Sequence, residues 1–207
     1  MKNVILILTL MFTQIFSYAQ EAKTPITYQL DVKKSKLFWK GTKTIGTKHF
    51  GFLLFNSGWL HTNAAGKLND GMFSMNMNSI KSTEHEKEEK NKGVERELRG
   101  SAFFETIKYP AASITVKSIF LTEQPEHYKV EGNLTIKGST HPIVFVATIK
   151  QSGTLLKATA NLTINRVKWG IHETSEVSAT DRFFSNIKDN MIADEIPIVL
   201  NLVFVKK

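Results

Sequence analysis

Gly71-Met72-Phe73-Ser74-Met75-Asn76-Met77-Asn78-Ser79-Ile80 decides the fold. In an extended chain Phe73, Met75 and Met77 share one face, and Ser74, Asn76 and Asn78 share the other. Successive side chains of a strand point to opposite faces, so this alternation marks a strand with one dry side and one wet side. The same period of two spreads in both directions. Upstream, Leu37 and Trp39 interleave with lysines, and Phe50 to Phe55 is a near-continuous apolar run closed by Asn56-Ser57-Gly58. Asn63-Ala64-Ala65-Gly66 and Asn69-Asp70-Gly71 read as turns, because Asn, Asp and Gly adopt turn geometry at low cost.

Downstream, Ile114, Val116 and Ser118 oppose Ser113, Thr115 and Lys117. Tyr128, Val130, Gly132, Leu134 and Ile136 form the dry face of the next strand, and Lys137-Gly138-Ser139 turns the chain into Pro142 to Ile149. After a turn at Gln151-Ser152-Gly153 come Leu156, Ala158, Ala160, Leu162 and Ile164, and finally Ile196, Ile198, Leu200, Leu202 and Phe204. Apolar Val199, Val203 and Val205 make the last strand a candidate for burial on both faces. Two segments break the pattern. Glu84 to Arg99 is charged, with Val94 and Leu98 spaced as on one helix face, and within it the mixed signs of Glu84 to Glu89 read as a solvated face rather than a loose metal site. Asp181 to Asp189 reads as a short helix capped by Asp181. The pattern predicts an all-β fold, a closed antiparallel barrel or a sandwich, with one or two short helices.

The 207 residues include 5 Pro, 12 Gly and no Cys, and the net charge is +8. This composition excludes collagen-like and disulfide-rich chains, and with them thiol nucleophiles and Cys-built metal sites. The six His, at 49, 61, 85, 127, 141 and 172, lack the four-residue spacing of a helical metal pair, so no metal or cofactor is expected. No nucleotide-binding or nucleophile-elbow motif is present, and the lysines are scattered rather than clustered, so nucleic acid is not an expected partner. Lys2, the apolar stretch from Val4, and Ser17-Tyr18-Ala19 form a secretory signal peptide, residues 1–19, with cleavage after Ala19. Its apolar stretch is too short to span a bilayer. Residues 20–207 then form one domain outside the cytoplasm, periplasmic or secreted. The positive charge suits transient contact with an anionic membrane surface, and a homodimer is compatible with it.

Several fragments, in order, resemble the YceI-like, polyisoprenoid-binding family: Ser35-Lys36-Leu37-Phe38-Trp39-Lys40-Gly41 with His49-Phe50-Gly51; Gly71 to Ile80; Leu98 through Phe103-Phe104 with Tyr109-Pro110-Ala111-Ala112; Gly132 to Gly138; and Asn165-Arg166 with Trp169-Gly170-Ile171. The resemblance implies an extended eight-stranded, lipocalin-like barrel enclosing a long apolar tunnel for an isoprenoid or similar lipid, and a binding protein rather than an enzyme. The chain departs from the family pattern at Asn76, Ala102 and Ile114, where the family usually has Asp, an acid and Phe; these positions bear on head-group contacts and tunnel bore.

Burying about 400 Å² of lipid tail contributes roughly 10 kcal/mol before losses of motion are subtracted, so affinity needs no charged contact. By alternation, Trp39, Phe52, Leu54, Phe73, Ile114, Val116, Phe145, Leu162 and Ile164 are inward candidates, joined by the adaptable Met75 and Met77. His49 matches a family position and is a candidate for a head group; an exposed loop histidine is the other reading. Arg166 and Trp169 suit a phosphate or carbonyl, or alternatively stack on one another and tie down the next loop. Two rival readings remain: a filled barrel acting as a structural or protein-interaction module of the envelope, and an enzyme with titratable groups converging inside the cavity.

Overall fold

A computed structural model describes residues 24–42, 48–172 and 193–207. The signal peptide expected at residues 1–19 and the helix expected at Asp181–Asp189 lie outside these residues. In chain order the elements are β1 (Thr27–Leu30), β2 (Lys36–Thr42), β3 (Lys48–Thr62), β4 (Leu68–Ser82), α1 (Glu88–Arg99), β5 (Ala111–Leu121), β6 (His127–Ile136), β7 (Ser139–Ser152), β8 (Leu155–Asn165), a 3-10 turn (Arg166–Trp169) and β9 (Glu195–Lys206).

β2, β9, β8, β7, β6, β5, β4 and β3 pair in that circular order, and β3 pairs back with β2, closing an eight-stranded antiparallel barrel. β1 is the extra strand. It sits between β3 and β9 (Tyr28↔Leu60, Gln29↔Val205) and prolongs the position of β2 toward one end. Where the chain detours between β1 and β2, the fully buried Ser35 takes over the ladder. Its Oγ accepts from Val203 N (3.0 Å) and donates to Val203 O (3.4 Å), while Asp31 N donates to the same carbonyl (2.8 Å). Backbone groups that would be orphaned at the gap are thereby satisfied.

β4 behaves as its sequence predicts, with Phe73, Met75 and Met77 buried. The turn after β6 is a two-residue hairpin with both Lys137 (φ 50) and Gly138 (φ 78) left-handed, the geometry that matches strand twist. Other expectations are corrected. Asn56-Ser57-Gly58 does not end a strand, and Asn69-Asp70-Gly71 is not a turn; both lie within the 15-residue strands β3 and β4. Gly71 is there for close approach: a Cβ would lie 2.6 Å from Trp59 O. Phe52 and Leu54 do not face inward. His49, Gly51, Leu53 and Phe55 do, until a bulge at Phe55/Ser57 inserts one residue and hands the inner face to Gly58 and Leu60. A second bulge, Val116/Ser118, replaces Ser118 with Ile119 on the inner face. β9 is buried on one face only, because Val199 and Val205 are exposed on the barrel exterior.

Candidate ligand-binding site

Inward side chains divide the barrel into two levels. The upper level holds a cavity of about 390 Å³, with walls from Trp39 and Leu37 on β2, Leu53 on β3, Met75, Met77 and Ile80 on β4, Ala112 and Ile114 on β5, Leu134 and Ile136 on β6, Leu162 and Ile164 on β8, and Ile196, Ile198 and Leu200 on β9. Alternation puts these residues inside. Unbranched Met and small Ala leave them short of meeting in the middle. The lower level, built on Phe55, Leu60, Phe73, Val116, Phe145, Ala158, Ala160, Leu202 and Phe204, retains only about 40 Å³. Phe73 and Phe204 meet there edge to face, with ring centres 5.8 Å apart. Ile114 and Leu200 border both levels.

α1 and the segment after it cover the upper end. Val94, Glu97, Leu98, Phe103 and Phe104 line the cavity from above, while Asn91 and Glu95 are buried against the end of β4. Glu95 Oε1 accepts from Ser82 N (3.2 Å), and Oε2 accepts from Arg99 Nη2 (3.0 Å) and Lys81 Nζ (3.4 Å). Arg99 Nη2 also donates to Ile80 O (2.9 Å), and Asn91 is bonded to both the amide and the carbonyl of His85. Asn91, Glu95 and Arg99, beyond the run read as solvated, therefore anchor α1 through polar side chains.

Four polar side chains reach the cavity wall: Thr42, His49, Glu97 and Arg166. His49 Nδ1 lies 2.6 Å from Glu84 Oε2, and His85 Nε2 lies 2.9 Å from Glu84 Oε1. The Glu84 side chain is only 5% exposed, so this carboxylate belongs to the rim of the cavity rather than to a solvated helix. Arg166 is buried at the start of the 3-10 turn. It donates from Nη1 to Ile171 O (2.8 Å) and from Nε to Ala193 O (3.3 Å), and its Nη2 pairs with Asp194 (3.1 Å). These contacts tie the turn to the start of β9, so the loop-fastening alternative describes Arg166 well, without stacking on Trp169. Asn165 caps the turn by accepting from Val167 N, and Gly170 (φ 65) ends it in the left-handed conformation only glycine adopts freely.

The structure gathers Trp39, His49, Met75, Met77, Ile114, Leu162, Ile164 and Arg166 around the upper cavity. Phe73, Val116 and Phe145 belong to the packed lower level. Phe52 and Leu54 are on the exterior, and Lys36 Nζ sits 4.7 Å over the Phe52 ring. Trp169 is buried away from the cavity: its Nε1 donates to Leu134 O (3.1 Å) and its ring meets His141 edge-on. Beyond the candidates from alternation, the cavity is lined by Leu37, Leu53, the α1 cover and further residues of β4, β5, β6 and β9 such as Ile80, Ala112, Leu134 and Ile198. Leu37 alternates with Trp39 and was findable; the α1 cover had only the Val94–Leu98 spacing to announce it. Trp39 Nε1 is buried without a hydrogen-bond partner among the described residues, leaving a donor at the cavity wall. Among the described residues no cluster of His, Asp or Glu is arranged to hold a metal ion, and no helix is long and apolar enough to cross a membrane.

The fold is shared with solved structures of low identity. BcnA of Burkholderia cenocepacia superposes with a TM-score of 0.64 at 22% identity, covering 84% of this chain and 98% of that one. A polyisoprenoid binding domain from Saccharophagus degradans, implicated in plant cell wall breakdown, gives 0.62 at 16%, covering 87% and 98%. A Campylobacter jejuni YceI protein gives 0.50 at 20%, covering 68% and 74%. No curated protein matches the chain. At these identities the likeness is one of fold, but the YceI-like domain matches residues 28–204, nearly the whole barrel. The chain belongs to the YceI-like family.

Proposed function

We propose that this protein is an exported carrier that shelters an apolar lipid, isoprenoid or quinone-like molecule from water and performs no chemistry on it. The observation that carries the reading is the upper cavity of about 390 Å³, walled almost entirely by aliphatic, Met and aromatic side chains. Such a hollow is stabilised by an apolar occupant and binds by shape. Membership of a family in which one neighbour is described as a polyisoprenoid binding domain supports the ligand class. Trp39 Nε1 offers a hydrogen bond to an oxygen of the ligand, and His49 stands at the rim for its polar end. Export is supported by the signal peptide of residues 1–19.

Loading at an anionic membrane surface is supported by the outer face of β2 and β3. Phe38, Phe50 and Leu54 are exposed there, Lys36, Lys40 and Lys48 flank them, and neither strand carries a carboxylate. Exposed aromatic residues among unopposed lysines suit an interface of negative head groups and acyl chains. Thr42 and His49, from the same two strands, lie at the cavity, so this face adjoins the site.

The test is recovery of the ligand. Protein purified from its native envelope is expected to release an apolar molecule on extraction, and stripped protein to take up isoprenoid or fatty amphiphiles. Failure of both sinks the carrier reading. Phe50→Ser should weaken sedimentation with phosphatidylglycerol vesicles and leave uptake in solution intact. If instead it dissociates a dimer in the ultracentrifuge, the face belongs to a homodimer.

A further inference from the structure

We propose that Ile114 and Leu200 form a length stop, so that the cavity holds a single apolar chain of about 16 carbon atoms, close to about three isoprene units or a palmitoyl tail. This rests on the carrier reading and goes beyond it by fixing the size of the ligand. An apolar cavity of about 150 Å³ accommodates benzene, or about 25 Å³ per carbon. By that measure the upper cavity of about 390 Å³ is filled by about 16 carbons, and the lower void of about 40 Å³ admits fewer than about two.

The two residues are placed to divide these spaces. β5 and β9 are four steps apart in either direction around the eight-stranded ring, so Ile114 and Leu200 project from opposite walls. Both border the upper cavity and the lower void, and both are buried. Beneath them Phe73 and Phe204 close the bore edge to face, and Phe204 is 0% exposed. A tail that continued downward would have to unpack that pair. A longer tail therefore leaves its surplus at the mouth, where added carbons stay in water and contribute nothing.

The experiment is a chain-length series with one head group: primary alcohols from C8 to C24, with prenyl alcohols of C10, C15, C20 and C30, measured by displacement of a fluorescent fatty acid. In the unaltered protein, affinity is expected to rise about fourfold per buried methylene and to level off near 16 carbons. Leu200→Ala, or Ile114→Ala should the first misfold, is expected to move the levelling-off to longer tails. Affinity that keeps rising through C20 and C30 in the unaltered protein overturns the length stop and leaves the carrier reading standing. A levelling-off that neither substitution moves also overturns it, because the stop then lies elsewhere. If no tail of any length displaces the probe, the length stop and the carrier reading fall together.

Discussion

The two levels of the barrel share one ring of strands and one rule of alternation, yet one is hollow and the other solid. Above Ile114 and Leu200 the inward positions are held by Met77, Ala112, Leu162 and Ile198; below are Phe55, Phe73, Leu202 and Phe204, with Phe73 and Phe204 meeting edge to face. Alternation decides which residues face inward. Whether the inside is full depends on the volume of those residues against the width of the ring, and an eight-stranded ring lies at the margin where either outcome occurs. A hollow in such a ring is a matter of a few side-chain volumes.

The largest test of this contrast is Phe204→Ala. It opens a cavity in the packed level beneath the stop and should cost about 3–5 kcal/mol in urea unfolding, while tails too short to reach that level bind the folded protein as before. A matched pair of enlargements sharpens the contrast. Ala160→Leu in the lower level should overpack and cost about 1–3 kcal/mol. Ala112→Leu in the upper level has room, so its urea midpoint should hardly move while lipid uptake falls. Equal destabilisation by the two would break the distinction.

Smaller effects concern the cover. Glu95→Gln loses the charge that gathers Lys81 and Arg99 at the top of β4, and should cost about 1–3 kcal/mol while speeding ligand release in stopped-flow measurements. α1 starts at Lys87, whose side chain makes no capping bond; Lys87→Asp should stabilise by about 0.5–1 kcal/mol and slow release. The smallest effect belongs to the exterior. Lys129, hydrogen-bonded to Glu131 at 2.6 Å, holds that carboxyl below its ordinary value. Its contribution is therefore present above the usual carboxylate pKa and fades as the pH falls through the lowered value. The pair is open to water, so Glu131→Gln should leave the neutral-pH midpoint of a thermal melt unchanged.

Much of this was legible in the residues. β6 and β8 alternate without interruption over their dry faces, β4 does so from Gly71 to Met77, and the structure places those faces inward. β3 was misread because Phe50 to Phe55 is apolar at every position but Gly51, so nothing local distinguishes Leu53 from Leu54. What distinguishes them is Gly51, where a Cβ would collide with Lys81 O, a contact that exists only once β4 is in place. The bulges at Phe55/Ser57 and Val116/Ser118 were equally silent, since a bulge follows from the partner strand's register. For the site, Met75, Met77 and Ile114 are legible because each lies on a regularly alternating stretch, Gly71 to Met77 of β4 and Ala112 to Val116 of β5. Glu84 and Glu95 were missed because buried carboxylates look like surface charge until their partners, His49, Lys81 and Arg99, are brought to them from elsewhere in the chain.

The single extra residues in β3 and β5 have a consequence for how this protein can change over generations. Removing that residue, at Asn56 or Lys117, would straighten the bulge and leave the rest of the strand facing as it does, whereas removing two would turn it inside out as far as its hairpin. Loss of one residue at these two points should therefore be tolerated, whereas a one-residue change elsewhere in β3 or β5 should be accompanied by a compensating loss or gain before the same hairpin.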